Sequence, residues 1–210
     1  MVGAGRTGRP PLSERRRAAT RMEIAEEAVR LFAAKGVAAT SADEIAEAAG
    51  VSTRTLWRYF RSKEDCVRPL LTTGLDAMAD RVREWDGQGS LLTAVRRATE
   101  LDVEPRHVVA LRELVLLTRD EPGLRAVWLE THHEAEVLFG RIVAESSGRS
   151  ADELSLRLHV GMFNLAMRIA VEDWAWSGGG GGEPDIESLT GAIVRTIGEA
   201  AHTLTEPDPR

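Results

Sequence analysis

The sequence predicts an all-α protein: an N-terminal three-helix unit containing a helix-turn-helix, joined by a long helix to a C-terminal antiparallel helical bundle. Three observations carry this. Apolar residues recur at helical spacing along most of the chain, no segment alternates with period two long enough to make a strand, and the breaks fall at Gly, Pro and Ser clusters.

The Gly/Arg/Pro stretch 1–12 reads as a disordered basic arm. From Ser13 a helix is predicted, with Ile24, Ala28, Leu31 and Phe32 as its apolar stripe and Gly36 as its end. Short helices follow at about 42–49 and 53–60. A long helix spans about 63–85, with Val67, Leu70, Leu71, Leu75, Met78 and Val82 at helical spacing. Four or five more helices are predicted, at about 90–101, 105–119, 122–146, 151–176 and 186–204, with Pro105 and Pro122 near helix starts where a missing N–H costs nothing. The run Gly178–Gly182 reads as a flexible loop. It is no phosphate cradle, because the Lys-Ser/Thr that would complete one is missing. The domains follow: arm 1–12, helix-turn-helix domain 13–62, and a larger domain 63–204.

Composition narrows the class. One cysteine excludes an internal disulfide, the first residues hold no long apolar run, and no stretch reaches the roughly 18 apolar residues of a membrane span, so a cytoplasmic protein without membrane contact is expected. The net charge of −6 is unevenly spread. Residues 1–65 carry 12 Lys/Arg against 9 Asp/Glu, whereas residues 66–210 carry 15 against 24. A basic front and an acidic body would direct the front toward a polyanion.

The segment 40–60 is the most informative. Ser41 and Glu44 have capping-box spacing, Ile45, Ala46 and Ala49 share an apolar face, Gly50 permits a tight turn with positive φ, and Val51 is the expected plug of that turn. Ser52 suits the N-cap of the next helix, whose Leu56 and Phe60 face inward. Thr53, Arg54, Thr55, Trp57, Arg58 and Tyr59 are left largely outward, and a polar second helix after a four-residue turn suits the DNA major groove.

These residues resemble the N-terminal domain of the TetR family of transcriptional regulators. The match lies in Phe32-Ala-Ala-Lys-Gly36, Thr40-Ser41, Ile45-Ala46, Ala49-Gly50-Val51-Ser52, Thr55-Leu56, Tyr59-Phe60 and Lys63-Glu64, within about residues 21–68. The resemblance implies a homodimer, commonly a repressor, on a near-palindromic double-stranded DNA operator, released when a small molecule occupies the larger domain. It places Thr53, Arg54 and Arg58 nearest base edges, and Thr40, Ser52, Thr55, Trp57, Tyr59 and Lys63 at phosphates. Trp57 departs from the family's usual tyrosine, and Cys66 stands where a larger aliphatic is common and reads as core packing.

The larger domain is less legible. Helices 151–176 and 186–204 carry more apolar residues than one small core needs, including Leu154, Leu158, Phe163, Met167, Val171 and Trp174 on the first and Ile186, Leu189, Ile193, Ile197 and Leu204 on the second. A dimer interface through both would bury the surplus. Trp85, His107, Arg112, Trp128, His132, Phe163 and Trp174 are candidate lining residues of a pocket for a mostly apolar effector, with Met78, Phe139 and Met167 weaker candidates. His132 and Glu136 have metal-ligand spacing, but spacing offers no third ligand, and a solvated helix face is expected there. No catalytic residues, metal or cofactor are predicted. Two alternatives stay open: a DNA-binding regulator without a small-molecule effector, and a helical enzyme or adaptor that uses the helix-turn-helix as scaffold.

Overall fold

The computed structural model of the chain describes residues 12–84, 104–177 and 184–203. Among these, all regular structure is helical: α1 Leu12–Lys35, α2 Ala42–Ala48, α3 Thr53–Tyr59, α4 Arg68–Arg83, α5 Pro105–Leu117, α6 Pro122–Ser147, α7 Leu154–Trp176 and α8 Ile186–Thr203. Of the arm expected at 1–12, Leu12 already belongs to α1, and residues 1–11, the helix at 90–101, the glycine run, Trp85 and Leu204 lie outside the described residues.

Local chemistry sets the boundaries. Ser41 Oγ accepts from Glu44 N–H while the Glu44 carboxylate accepts from Ser41 N–H, so both halves of the capping box form. Gly50 adopts φ 65° in the turn between α2 and α3, a conformation that disfavours any Cβ. Ser52 caps α3 by accepting from Thr55 N–H. The helix expected at 63–85 begins instead as a 3-10 turn, Glu64–Val67, before α4. Pro69 explains this: it lacks the N–H that would reach the Asp65 carbonyl, which accepts from Arg68 N–H instead.

Helices α1, α2 and α3 pack around Ile24, Phe32, Ile45, Leu56 and Phe60, all at most 3% exposed. This core runs without a break into the body through Val67, Leu70 and Leu71. There α4 packs on α6, α6 on α7, α5 on α1 and α7, and α7 on α8. The head is also tied to α6 at close range. A Cβ on Gly123, in the first turn of α6, would stand 3.1 Å from Glu64 Cγ, a tight approach that the Glu64 side chain would have to ease.

Candidate DNA-binding face and effector cavity

On α3, Leu56 and Phe60 are buried, and Arg54, Trp57 and Arg58 are exposed, with Thr53, Thr55 and Tyr59 partly covered. The Arg58 guanidinium lies 5.0 Å from the Tyr59 ring centre. Thr53 Oγ1 donates to Asp43 Oδ1 at 2.6 Å, and the Ser52 and Thr55 hydroxyls lie 2.9 Å apart. Two residues expected at phosphates are engaged within the fold. The Thr40 side chain is buried and its hydroxyl donates to the Gly36 carbonyl at 2.8 Å. The Lys63 ammonium donates to the carbonyls of Val37 and Thr40 at 2.6 and 2.9 Å. Both close the loop between α1 and α2 by binding carbonyls that lie outside the helical ladders, the Val37 carbonyl also accepting from Thr40 N–H at 3.2 Å. A second brace joins Lys35 to Glu44 at 2.5 Å. That hydrogen bond, with those from Ser41, lowers the Glu44 carboxyl to about 2.

In the body, a cavity of about 60 Å³ lies among α4, α5, α6, α7 and α8. Its wall is apolar, built from leucines, isoleucine, valine, Met78 and Met167, with Trp128 and His132 contributed by α6. Trp128 Nε1 donates to Glu172 Oε1 at 2.8 Å, and its ring meets His132 edge to face at 4.2 Å between centres. His132 is buried beside Asn164 of α7, with 3.0 Å between Nδ1 and Oδ1, which corrects the expectation of a solvated face. Burial holds its pKa below the ordinary imidazole value, although the Asn164 hydrogen bond acts in the opposite direction.

The outer side of α6 reaches the head. Arg68, only 17% exposed, donates to Asp65 at 2.7 Å, to Glu130 at 2.5 Å and to Glu134 at 2.9 Å. Asp65 belongs to the 3-10 turn and the two glutamates to α6. One helix therefore carries both cavity residues and the carboxylates that hold the start of α4.

Residues 24–70 match the model of the bacterial regulatory proteins of the tetR family. The likeness extends beyond that domain. The chain is 30% identical over 206 residues to the HTH-type transcriptional regulator TcmR of Streptomyces glaucescens, spanning 90% of this chain and 85% of that protein. The chain belongs to the TetR family. It is also 30% identical over 125 residues to the HTH-type transcriptional repressor KstR2 of Rhodococcus jostii, covering 52% of this chain and 61% of that one. In fold, it is similar to the fatty acid degradation regulator FadR of Bacillus halodurans, with a TM-score of 0.51 at 19% identity, over 90% of this chain and 97% of that one. TetR-family proteins are typically ligand-responsive, DNA-binding repressors, and this member is a transcriptional regulator rather than an enzyme.

The remaining pocket candidates in this TetR-family chain fall elsewhere. His107 faces Glu26 of α1 at 3.1 Å, Arg112 is half-buried on α5, Phe163 packs edge to face on Phe139 at 5.7 Å, and Trp174 Nε1 donates to Ser188 Oγ of α8. None of these four lines the cavity, whereas Met78 and Met167 do. Other wall residues, such as Leu75 and Leu111, carry no pattern in the sequence that separates them from ordinary core. Cys66 is fully buried, and burial together with the charges of Asp65 and Glu64 pushes its thiol up to about 12. It is a packing residue.

The apolar surplus divides unevenly between the last two helices. On α8, Leu189, Ile193 and Ile197 are buried within the subunit. On α7, Phe163, Met167, Val171 and Trp174 are buried, while Leu154, Leu158, Met162, Leu165 and Ile169 are each 40% exposed or more. Their spacing of four, four, three and four gathers them on one face. No helix among the described residues is long and apolar enough to cross a membrane.

Proposed function

We propose that the chain acts as a homodimeric repressor on an inverted-repeat operator and lets go when a small, mostly apolar molecule fills the body cavity. The observation that carries this reading is the double duty of α6: Trp128 and His132 line the cavity, and Glu130 and Glu134 hold Arg68 where the head meets α4. A ligand that shifts α6 against α4 moves Arg68, and with it the 3-10 turn under the head. Such a molecule has unequal affinity for the two arrangements, which is what a population shift requires.

On this reading residues 13–62 bind DNA and 63–204 bind effector and partner subunit. Thr53, Arg54 and Arg58 read bases, and Ser52, Thr55, Trp57 and Tyr59 reach phosphates. Thr40 and Lys63 contribute by fixing the loop behind α2. The exposed stripe on α7, with α8 beside it, meets its equivalent in the second subunit, since a two-fold axis repeats one apolar face on both partners. The KstR2 relative carries the name of a repressor, which favours repression here. The test is sedimentation of the full chain with a labelled duplex carrying its selected site. One dimer per inverted repeat supports the reading, and a monomer on a single half-site contradicts it.

A further inference from the structure

His132 leaves one hydrogen-bonding atom unused. Its Nε2 is buried and has no partner among the described residues, although the residue lines a cavity whose wall is otherwise almost wholly apolar. The other obvious donor in that wall, Trp128 Nε1–H, is already taken by Glu172.

The proton on the imidazole can be placed. Asn164 Nδ2 donates to the backbone oxygen of His132 at 3.0 Å. The Asn164 oxygen is therefore the atom 3.0 Å from His132 Nδ1, and it offers only lone pairs. Turning the amide over would set two carbonyl oxygens against each other. Nδ1 must carry the hydrogen, and in a neutral ring Nε2 is then a bare acceptor. A buried acceptor without a partner is costly, so it is a site at which a complementary donor gains more than it would in water.

We infer that the cavity takes a neutral, mostly apolar molecule that donates one hydrogen bond, from a hydroxyl, a phenol or an N–H, to His132 Nε2. The inference rests on the effector reading above and narrows it to a ligand class. A carboxylate is disfavoured, because its lone pairs would face that of Nε2 in an apolar wall. The cavity, about 60 Å³, holds several times the roughly 10–15 Å³ one water needs, but Nε2 itself is almost wholly covered, so the donor reaches it as the wall gives way, with Met78 and Met167 its flexible members.

The test uses full-length protein labelled with [15N]histidine and three probes: phenol, toluene of matched size, and benzoate. The expected result is a His132 ring protonated on Nδ1, with a pyridine-like Nε2 resonance that phenol moves and toluene does not. In His132→Phe the phenol-to-toluene affinity ratio falls roughly three- to tenfold, the value of one hydrogen bond, and benzoate binds more weakly than phenol to the wild type. Where that variant fails to fold, the wild-type spectrum decides. A ring protonated on Nε2, an Nε2 resonance that phenol leaves in place, a preference for benzoate, or an unchanged ratio in the folded variant would each overturn the inference. A phenol preference without any loosening of operator supports this inference and counts only against the effector reading.

Discussion

Arg68 at the start of α4 pairs with Glu130 of α6 at 2.5 Å, and Glu130 stands midway in sequence between Trp128 and His132, the two α6 residues of the cavity wall. Asp65 and Glu134 complete the cluster. Because Glu130 and Glu134 are more than half exposed, solvent screens their share, and the better-covered Asp65 pair is the stronger one.

Arg68→Ala should therefore destabilise the protein by about 1–2 kcal/mol, read by urea unfolding. It should also reduce the factor by which effector lowers operator affinity. A variant that loses stability yet releases operator as the wild type does would assign the cluster to folding alone.

Leu165 is 47% exposed in the middle of the α7 stripe, so Leu165→Glu leaves the subunit core untouched. The variant should sediment as a folded monomer at concentrations where the wild type is dimeric. Losing the second head should weaken operator binding by roughly 100-fold or more. A dimeric variant with normal operator affinity would move the interface to another face.

Glu44 gives the head a pH signature. Its carboxyl is lowered from the ordinary 4.5 to about 2, first by the Lys35 hydrogen bond and then by those from Ser41. A folded pKa below the unfolded one adds stability that is present above about pH 4.5 and is lost as pH falls toward about 2. Thermal unfolding of wild type and Glu44→Gln across that window should converge at the acid end. A gap that persists to pH 2 would mean that neutral hydrogen bonding, and not the charge, supplies the difference.

Arg54 is exposed on α3 with no acidic partner among the described residues, unlike Arg68. Arg54→Ala should lower the ratio of operator to scrambled-duplex affinity by about 1–3 kcal/mol, the value of a bidentate guanine contact. An equal fall for both duplexes would make Arg54 a phosphate contact.

What the sequence disclosed depended on range. Ser41 with Glu44, Gly50 and Ser52 act within three or four residues, so their roles could be read directly, and the structure has each in the expected conformation. Leu56 and Phe60 followed from helical spacing. His132 lines the cavity, as its residue type suggested, but the solvated face expected around it does not hold: His133 and Glu134 are exposed, while the burial of His132 depends on Asn164, thirty-two positions away on another helix. Thr40 and Lys63 have the chemistry of phosphate ligands, and only the loop carbonyls near them show why the same chemistry is used inward. The cavity draws on five helices, so its wall had no local pattern to read. The outward stripe on α7 was partly visible, but the sequence did not separate it from the buried face of the same helix.

In the proposed function α3, held by the buried Leu56 and Phe60, reads DNA as one half of a two-fold pair. Repeated selection of bound sequences from random duplexes at physiological salt, using the full chain, tests it most directly. The expected outcome is an inverted repeat whose half-sites lie about one helical turn apart, or a multiple of it. Folded protein that enriches no sequence would contradict it.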